Sequence, residues 1–133
     1  MIQRIQSIYL TIAFLLSGIS TFLFNEELIQ AGLFYILGLI TSSCLFSLLA
    51  IFLFKRRTFQ MKLNQLNLLL NLSIIGLLIY HLLNLTKKNY LSEESIEFVV
   101  TLILSVMIIV LLWFSNRAIK KDDRLLKSVD RIR

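Results

Sequence analysis

Charged residues divide the chain into four long apolar runs, at about 5–24, 31–54, 65–85 and 96–114. A run of roughly 20 apolar residues is the length of helix that crosses about 30 Å of hydrocarbon. The 133 residues are 57% hydrophobic, above the roughly half-apolar make-up of a water-soluble domain, and a soluble core of this size could not hold them. Proline is absent and only four glycines occur, so nothing breaks the runs. Inside lipid only intact helices or closed barrels satisfy their own backbone groups. The sequence therefore predicts an all-α fold, a four-helix transmembrane bundle.

The connections are short. Residues 25–30 carry Glu26 and Glu27, 55–64 carry Lys55, Arg56, Arg57 and Lys62, and 86–95 mix Lys87 and Lys88 with Glu93 and Glu94. Short loops make sequence neighbours antiparallel, hence an up-and-down bundle. Arg4 precedes the first run as the basic end of a signal sequence would. That run is too long for a signal core, however, and Gly18-Ile19-Ser20 is a weak cleavage site, so the first helix is expected to be retained.

Basic residues resist translocation, which makes their distribution a guide to orientation. Arg4, the four of the second connection and seven beyond Phe114 fall on one side, against Lys87 and Lys88 on the other. This predicts a multi-pass protein of the bacterial inner membrane with both termini in the cytoplasm.

Beyond Phe114, SNRAIKKDDRLLKSVDRIR has no helix breaker. The fourth helix is expected to continue into the cytoplasm, giving a membrane domain over 1–114 and a basic amphipathic helix over 115–133. Asp123 and Lys127 stand at the i,i+4 spacing that supports such a helix. Ala118, Leu125, Val129 and Ile132 are expected to form its apolar stripe and lie against a protein surface or the chain's own 55–64 segment. Arg117, Lys120, Lys121, Arg124, Leu125, Val129 and Ile132 are the candidate docking residues. Asp122, Asp123 and Asp130 interrupt the basic run and favour a protein over an anionic leaflet.

Polar residues recur within the runs at helical spacing. Gln60, Asn64, Asn67, Asn71, Ile74, Leu78 and His81 follow alternating steps of 4 and 3, which keeps them on one face. Ser7, Thr11, Phe14, Gly18 and Thr21 do the same in the first run, and Glu97, Thr101 and Ser105 in the fourth. These stripes are expected to face inward, because buried amides in hydrocarbon seek partners on other helices. In the second run the Gly38/Ser42 and Ser43/Ser47 pairs have the small-xxx-small pattern of close helix approach. Asn67, Asn71, His81 and Glu97 are the polar residues assigned to intramembrane packing, and His81 and Glu97 are placed where they could meet.

The chemistry that these residues support is limited. Cys44 is the single cysteine, so no internal disulfide or dithiol chemistry is available, and it reads as a small packing residue. One histidine falls short of a pair of axial haem ligands, and the spacing identifies no zinc cluster. No carboxylate lies deep in any run, as a small proton-coupled exporter needs, and no phosphate loop or nucleophile elbow occurs. No cofactor and no enzymatic activity are expected. Beside a membrane, the basic tail points to lipid or protein rather than nucleic acid.

The opening MIQRIQSIYL and the ending SNRAIKKDDRLLKSVDRIR resemble the two ends of a family of small four-helix membrane proteins from Bacteroidota, described only as a domain of unknown function. The resemblance implies an inner-membrane component whose recognisable residues stand at its ends, and it brings no activity with it. Gln3, Arg4, Asn116, Arg117, Lys120, Lys121, Asp122 and Arg131 are then expected at the cytoplasmic face. There Gln3 or Gln6 is placed to bond Asn116, and Arg4 to approach Asp122 or Asp123. The expected function is that of a non-enzymatic accessory or scaffolding subunit, with membrane lipids and a larger membrane complex as partners. The alternative is a small homo-oligomeric transporter or channel with an Asn-lined path.

Overall fold

The computed structural model describes residues 2–23, 33–87 and 93–131. Within them lie four long helices, α1 (Ile2–Leu23), α2 (Phe34–Phe52), α3 (Arg57–Lys87) and α4 (Glu93–Asp130). All four are long and apolar enough to cross a membrane, and the protein is an all-α, multi-pass membrane bundle. Each helix packs on two neighbours, α1 on α2, α2 on α3, α3 on α4 and α4 on α1, which closes a ring. The expected connection at 25–30 lies outside the described residues, as do 88–92 of the one expected at 86–95, whose remaining residues belong to α3 and α4.

The bundle is built the reverse way from a water-soluble one. Leu15, Phe22, Leu45, Phe52, Leu69 and Ile103 point outward, while Ser17, Ser20, Ser43, Ser47, Asn67, Asn71, Thr101 and Ser105 are buried. Lipid tails are as apolar as leucine, so an outward leucine costs nothing there, and helix association rests on close packing and interhelical hydrogen bonds.

Buried positions on every helix keep a seven-residue repeat. They are Gln6, Leu10, Ala13, Ser17 and Ser20 on α1, Leu33, Ile36, Ile40, Ser43, Ser47 and Ala50 on α2 and its entry, and Gln60, Asn64, Asn67, Asn71, Ile74 and Leu78 on α3. On α4 the run is Phe98, Thr101, Ser105, Ile108, Leu112, Ser115 and Ile119. Alternating steps of 3 and 4 average 3.5 residues, slightly below the helical period, which is the pattern of left-handed bundles with shallow crossing angles. The interior is layered along this seam. Leu10, Ala13, Ala50, Ile108 and Leu112 form an apolar layer toward the basic end, and Leu33, Ile36, Ile40, Ile74, Leu78 and Phe98 form another toward the far end. Ser17, Ser20, Ser43, Ser47, Ser105, Thr101, Asn67 and Asn71 lie between them.

Several expectations need correction. The 55–64 segment is not a loop, since α3 begins at Arg57 and a single 3-10 turn, Leu53–Lys55, joins it to α2. Residues 57–64 contain neither proline nor glycine, and their polarity reflects the end of the membrane rather than the end of a helix. Gln60 closes this corner: its Nε2 donates to the Ala50 carbonyl at 3.1 Å, one of the last four carbonyls of α2 that have no intrahelical partner.

On α1 the inward face lies one residue earlier than expected. Thr11 is exposed, and Ser7, Phe14, Gly18 and Thr21 are only partly covered. Hydroxyls need no other helix, because Thr11 donates to the Ser7 and Ile8 carbonyls and Thr21 to that of Ser17. In α2 the Ser43/Ser47 pair is buried, but Gly38 is exposed with open space where a Cβ would stand, so the Gly38/Ser42 pair mediates no close approach.

Candidate functional site

The mid-depth polar layer centres on Asn67. Its Nδ2 donates to Ser47 Oγ at 2.8 Å and to the Ser43 carbonyl at 3.3 Å, and its Oδ1 accepts from Ser43 Oγ at 2.6 Å and from Asn71 Nδ2 at 3.1 Å. Asn71 Nδ2 also reaches Ser43 Oγ at 2.9 Å and the Asn67 carbonyl at 2.9 Å. As expected for amides in hydrocarbon, both asparagines face into the bundle. Every member of this network is neutral at all ordinary pH, so it supplies neither a nucleophile nor a proton carrier. What it does is fix the register of α2 against α3.

A second polar cluster closes the basic end. Asn64 Nδ2 donates to Asn116 Oδ1 at 3.1 Å and to Ser115 Oγ at 3.4 Å, linking α3 to α4. One turn beyond the buried Ile119, Asp122 Oδ2 lies 2.9 Å from Arg57 Nη1, and both side chains are largely covered, at 15% and 24% exposure. Sequence reasoning missed this ion pair, because Arg57 was assigned to a loop. The signal was present in α4, where Asp122 stands three residues after Ile119 and extends the buried repeat that begins at Phe98. Asp123 pairs with Lys127 at 2.9 Å, the expected i,i+4 contact.

The expected pairing of the two termini takes a different form. Asn116 is taken by Asn64 and Asp122 by Arg57, while Gln6 is buried with its Nε2 unpartnered. The side chains of Gln3 and Arg4 lie outside the described residues.

At the far end His81 is half-buried. Its Nε2 shares a hydrogen bond with the Tyr35 hydroxyl, its ring stacks on Phe98 at 6.3 Å, and Tyr80 meets it edge-on at 5.5 Å. Glu97, half-buried, precedes Phe98 at the start of α4. An aromatic and imidazole cluster at the rim of a bundle fits a position at the membrane boundary. Among the described residues no three His, Cys, Asp or Glu side chains come together as a metal site would require.

The docking candidates fall into two groups. Arg117 and Lys121 are level with the basic end of the bundle and flank a groove between α1 and α4, and the Arg117 guanidinium lies 5.5 Å over the Trp113 ring. Lys120, Arg124, Leu125 and Val129 are exposed, the last three beyond the Arg57–Asp122 level. Ala118 lines the groove rather than an apolar stripe with Leu125 and Val129, and the covered face of α4 here is Ser115, Ile119 and Asp122. The chain's own 55–64 segment therefore does meet this stretch of α4, through Arg57 and Asn64 instead of the predicted leucine stripe. Helix α4 runs unbroken to Asp130, and Ile132 lies outside the described residues.

No curated protein and no solved structure matches the chain. A family description does match, over residues 24–132, which leaves the opening MIQRIQSIYL outside and takes in nearly all of the closing basic segment. With α2, α3 and α4 wholly inside that match, the chain belongs to the family described as Domain of unknown function (DUF4293).

Proposed function

We propose that this protein is a non-enzymatic accessory or scaffolding subunit of a larger membrane complex, docking through the projecting end of α4. One observation carries the reading. The buried repeat of α4 continues past Asp122 at the same 4 and 3 steps as Leu126 and Val129, yet these two and Leu125 are all about half exposed or more. A core seam that outlasts its own bundle is a surface for a further helix, and coiled-coil packing buries such positions against a partner. Asp123 and Leu125 flank the seam, while Arg124 stands on the opposite face of the helix.

The basic end belongs in the cytoplasm of a bacterium, with the helices in its inner membrane. By sequence position, twelve of the fourteen Lys and Arg residues are expected on that side of the spans, an imbalance that sets orientation in membranes. A conducting path is the less favoured reading, since the polar layer uses its amides on its own serines. Apolar layers also lie above and below it.

Purification in mild detergent from the source cells tests the docking. The unmodified protein should carry a foreign membrane subunit in fixed stoichiometry, and Leu126→Asp with Val129→Asp should reduce that subunit at least about tenfold, given roughly 1.5–3 kcal/mol for each buried aliphatic side chain. Recovery of self-associated chains alone, or retention of the subunit by the double variant, contradicts the proposal.

A further inference from the structure

A groove of about 260 Å³ opens on the outer side of the α1/α4 contact at the basic end. Ile5, Tyr9, Phe114 and Ala118 form its walls, with the Tyr9 and Phe114 rings stacked at 6.0 Å, and Arg117 and Lys121 stand at its rim. Ile5 and Phe114 are exposed, so the walls face whatever surrounds the bundle. Trp113 fixes the depth. Tryptophan settles at the headgroup level of membranes, and from Ile96 to Trp113 the helix rises about 26 Å, close to the thickness of the hydrocarbon. Arg117 then lies about 6 Å and Lys121 about 12 Å beyond Trp113, the first within the headgroup layer and the second near enough for its long side chain to reach back into it.

The charge around the rim is cleaner than the sequence implies. Asp122, next to Lys121, turns inward to Arg57, and Asp123 pairs with Lys127. Neither Arg117 nor Lys121 meets a carboxylate among the described residues, so both are available to a ligand phosphate. We propose that the groove is a binding site for one anionic phospholipid, its phosphate between Arg117 and Lys121 and the upper part of an acyl chain along the Tyr9–Phe114 wall. Three features meet there: an apolar channel open to lipid, two cations one helical turn apart, and a depth that matches the headgroups. Free phosphate would use the cations and leave the channel idle. At about 260 Å³ the groove is slightly smaller than an ordinary small-molecule pocket, which suits one chain and one headgroup.

The test compares the delipidated, full-length protein in detergent with added phosphatidylglycerol or phosphatidylcholine, counting retained lipid by native mass spectrometry. Phosphatidylglycerol should be held at about one per chain and phosphatidylcholine far more weakly. Arg117→Gln with Lys121→Gln should weaken phosphatidylglycerol about 25-fold, since each basic residue near an anionic surface is worth roughly fivefold. The charge-matched control Lys55→Gln with Lys62→Gln, at exposed positions of the same end, should change it less than about twofold if the site is local. Ala118→Phe, which fills the groove and keeps every charge, should also displace the lipid, with the thermal midpoint of the lipid-free variant reporting that the bundle still folds. Equal retention of the two lipids overturns the proposal, as does a control that falls as far as the Arg117/Lys121 pair. So does competition by inorganic phosphate combined with an unaffected Ala118→Phe, which would mean an anion site with no acyl channel.

Discussion

Asn67→Leu is expected to destabilise the bundle by about 2–4 kcal/mol in detergent unfolding. Leucine has the same branching and number of side-chain heavy atoms as asparagine, so the change removes hydrogen bonds without opening a cavity. Asn67 makes four contacts with Ser43, Ser47 and Asn71, and interhelical bonds in membranes average about 0.6 kcal/mol, rising to about 1.7. The remaining loss comes from the partners left behind, because Asn71 loses one of its acceptors, the Ser43 hydroxyl its acceptor and Ser47 its donor. Asn71→Leu should cost less, since Asn67 keeps its three interactions with α2, to the Ser43 carbonyl, the Ser43 hydroxyl and Ser47. A double-mutant cycle with Ser47→Ala would isolate the Asn67–Ser47 bond. Loss below about 0.5 kcal/mol for Asn67→Leu would mean that the layer packs by shape alone.

Removing Asp122 is the second large effect. Breaking a fully buried ion pair costs about 3–5 kcal/mol, mostly through the charge left behind. Arg57 and Asp122 are 24% and 15% exposed, so water screens part of the stranded charge and Asp122→Ala should cost about 1–3 kcal/mol. The exchanged pair, Arg57→Asp with Asp122→Arg, should recover at least half of that in the same unfolding assay. A swap no better than the single variant would show that geometry, and not charge, holds this corner.

How much of this was legible in the sequence varied with the kind of residue. Apolar length located all four helices, because crossing a membrane sets a physical minimum that local chemistry cannot disguise. Asparagine located the inward face of α3, since a primary amide in lipid has four hydrogen-bonding positions to satisfy and few ways to do so on its own helix. Threonine misled on α1 because its hydroxyl bonds the preceding turn, so Thr11 and Thr21 say little about where the neighbours are. The difference is physical: a side chain that satisfies itself carries no tertiary information.

The end of α4 was misread for a related reason. Selecting its apolar residues gave Ala118, Leu125 and Val129, whereas the repeat set deeper in the helix passes through Ser115, Ile119 and Asp122 before reaching Leu126 and Val129. A buried aspartate looks like a break in an apolar stripe until its cation is known, and Arg57 lies 65 positions earlier in the chain. Among the candidate residues, the packing role of Asn67 and Asn71 was therefore readable from pattern alone. The separation of Arg117 and Lys121 from the projecting end depended on how the first turns of α1 lie beside α4.

Orientation underlies both the docking end and the lipid site, and it is tested directly by labelling a single thiol. In a Cys44→Ser background, which removes the one native cysteine, Ser128→Cys places an exposed thiol near the end of α4, off the Leu126/Val129 seam and with every charge kept. A membrane-impermeant maleimide added to intact spheroplasts should leave this thiol unlabelled, and permeabilisation should make it react fully. Labelling in intact spheroplasts would put the basic end outside the cytoplasm and contradict the account.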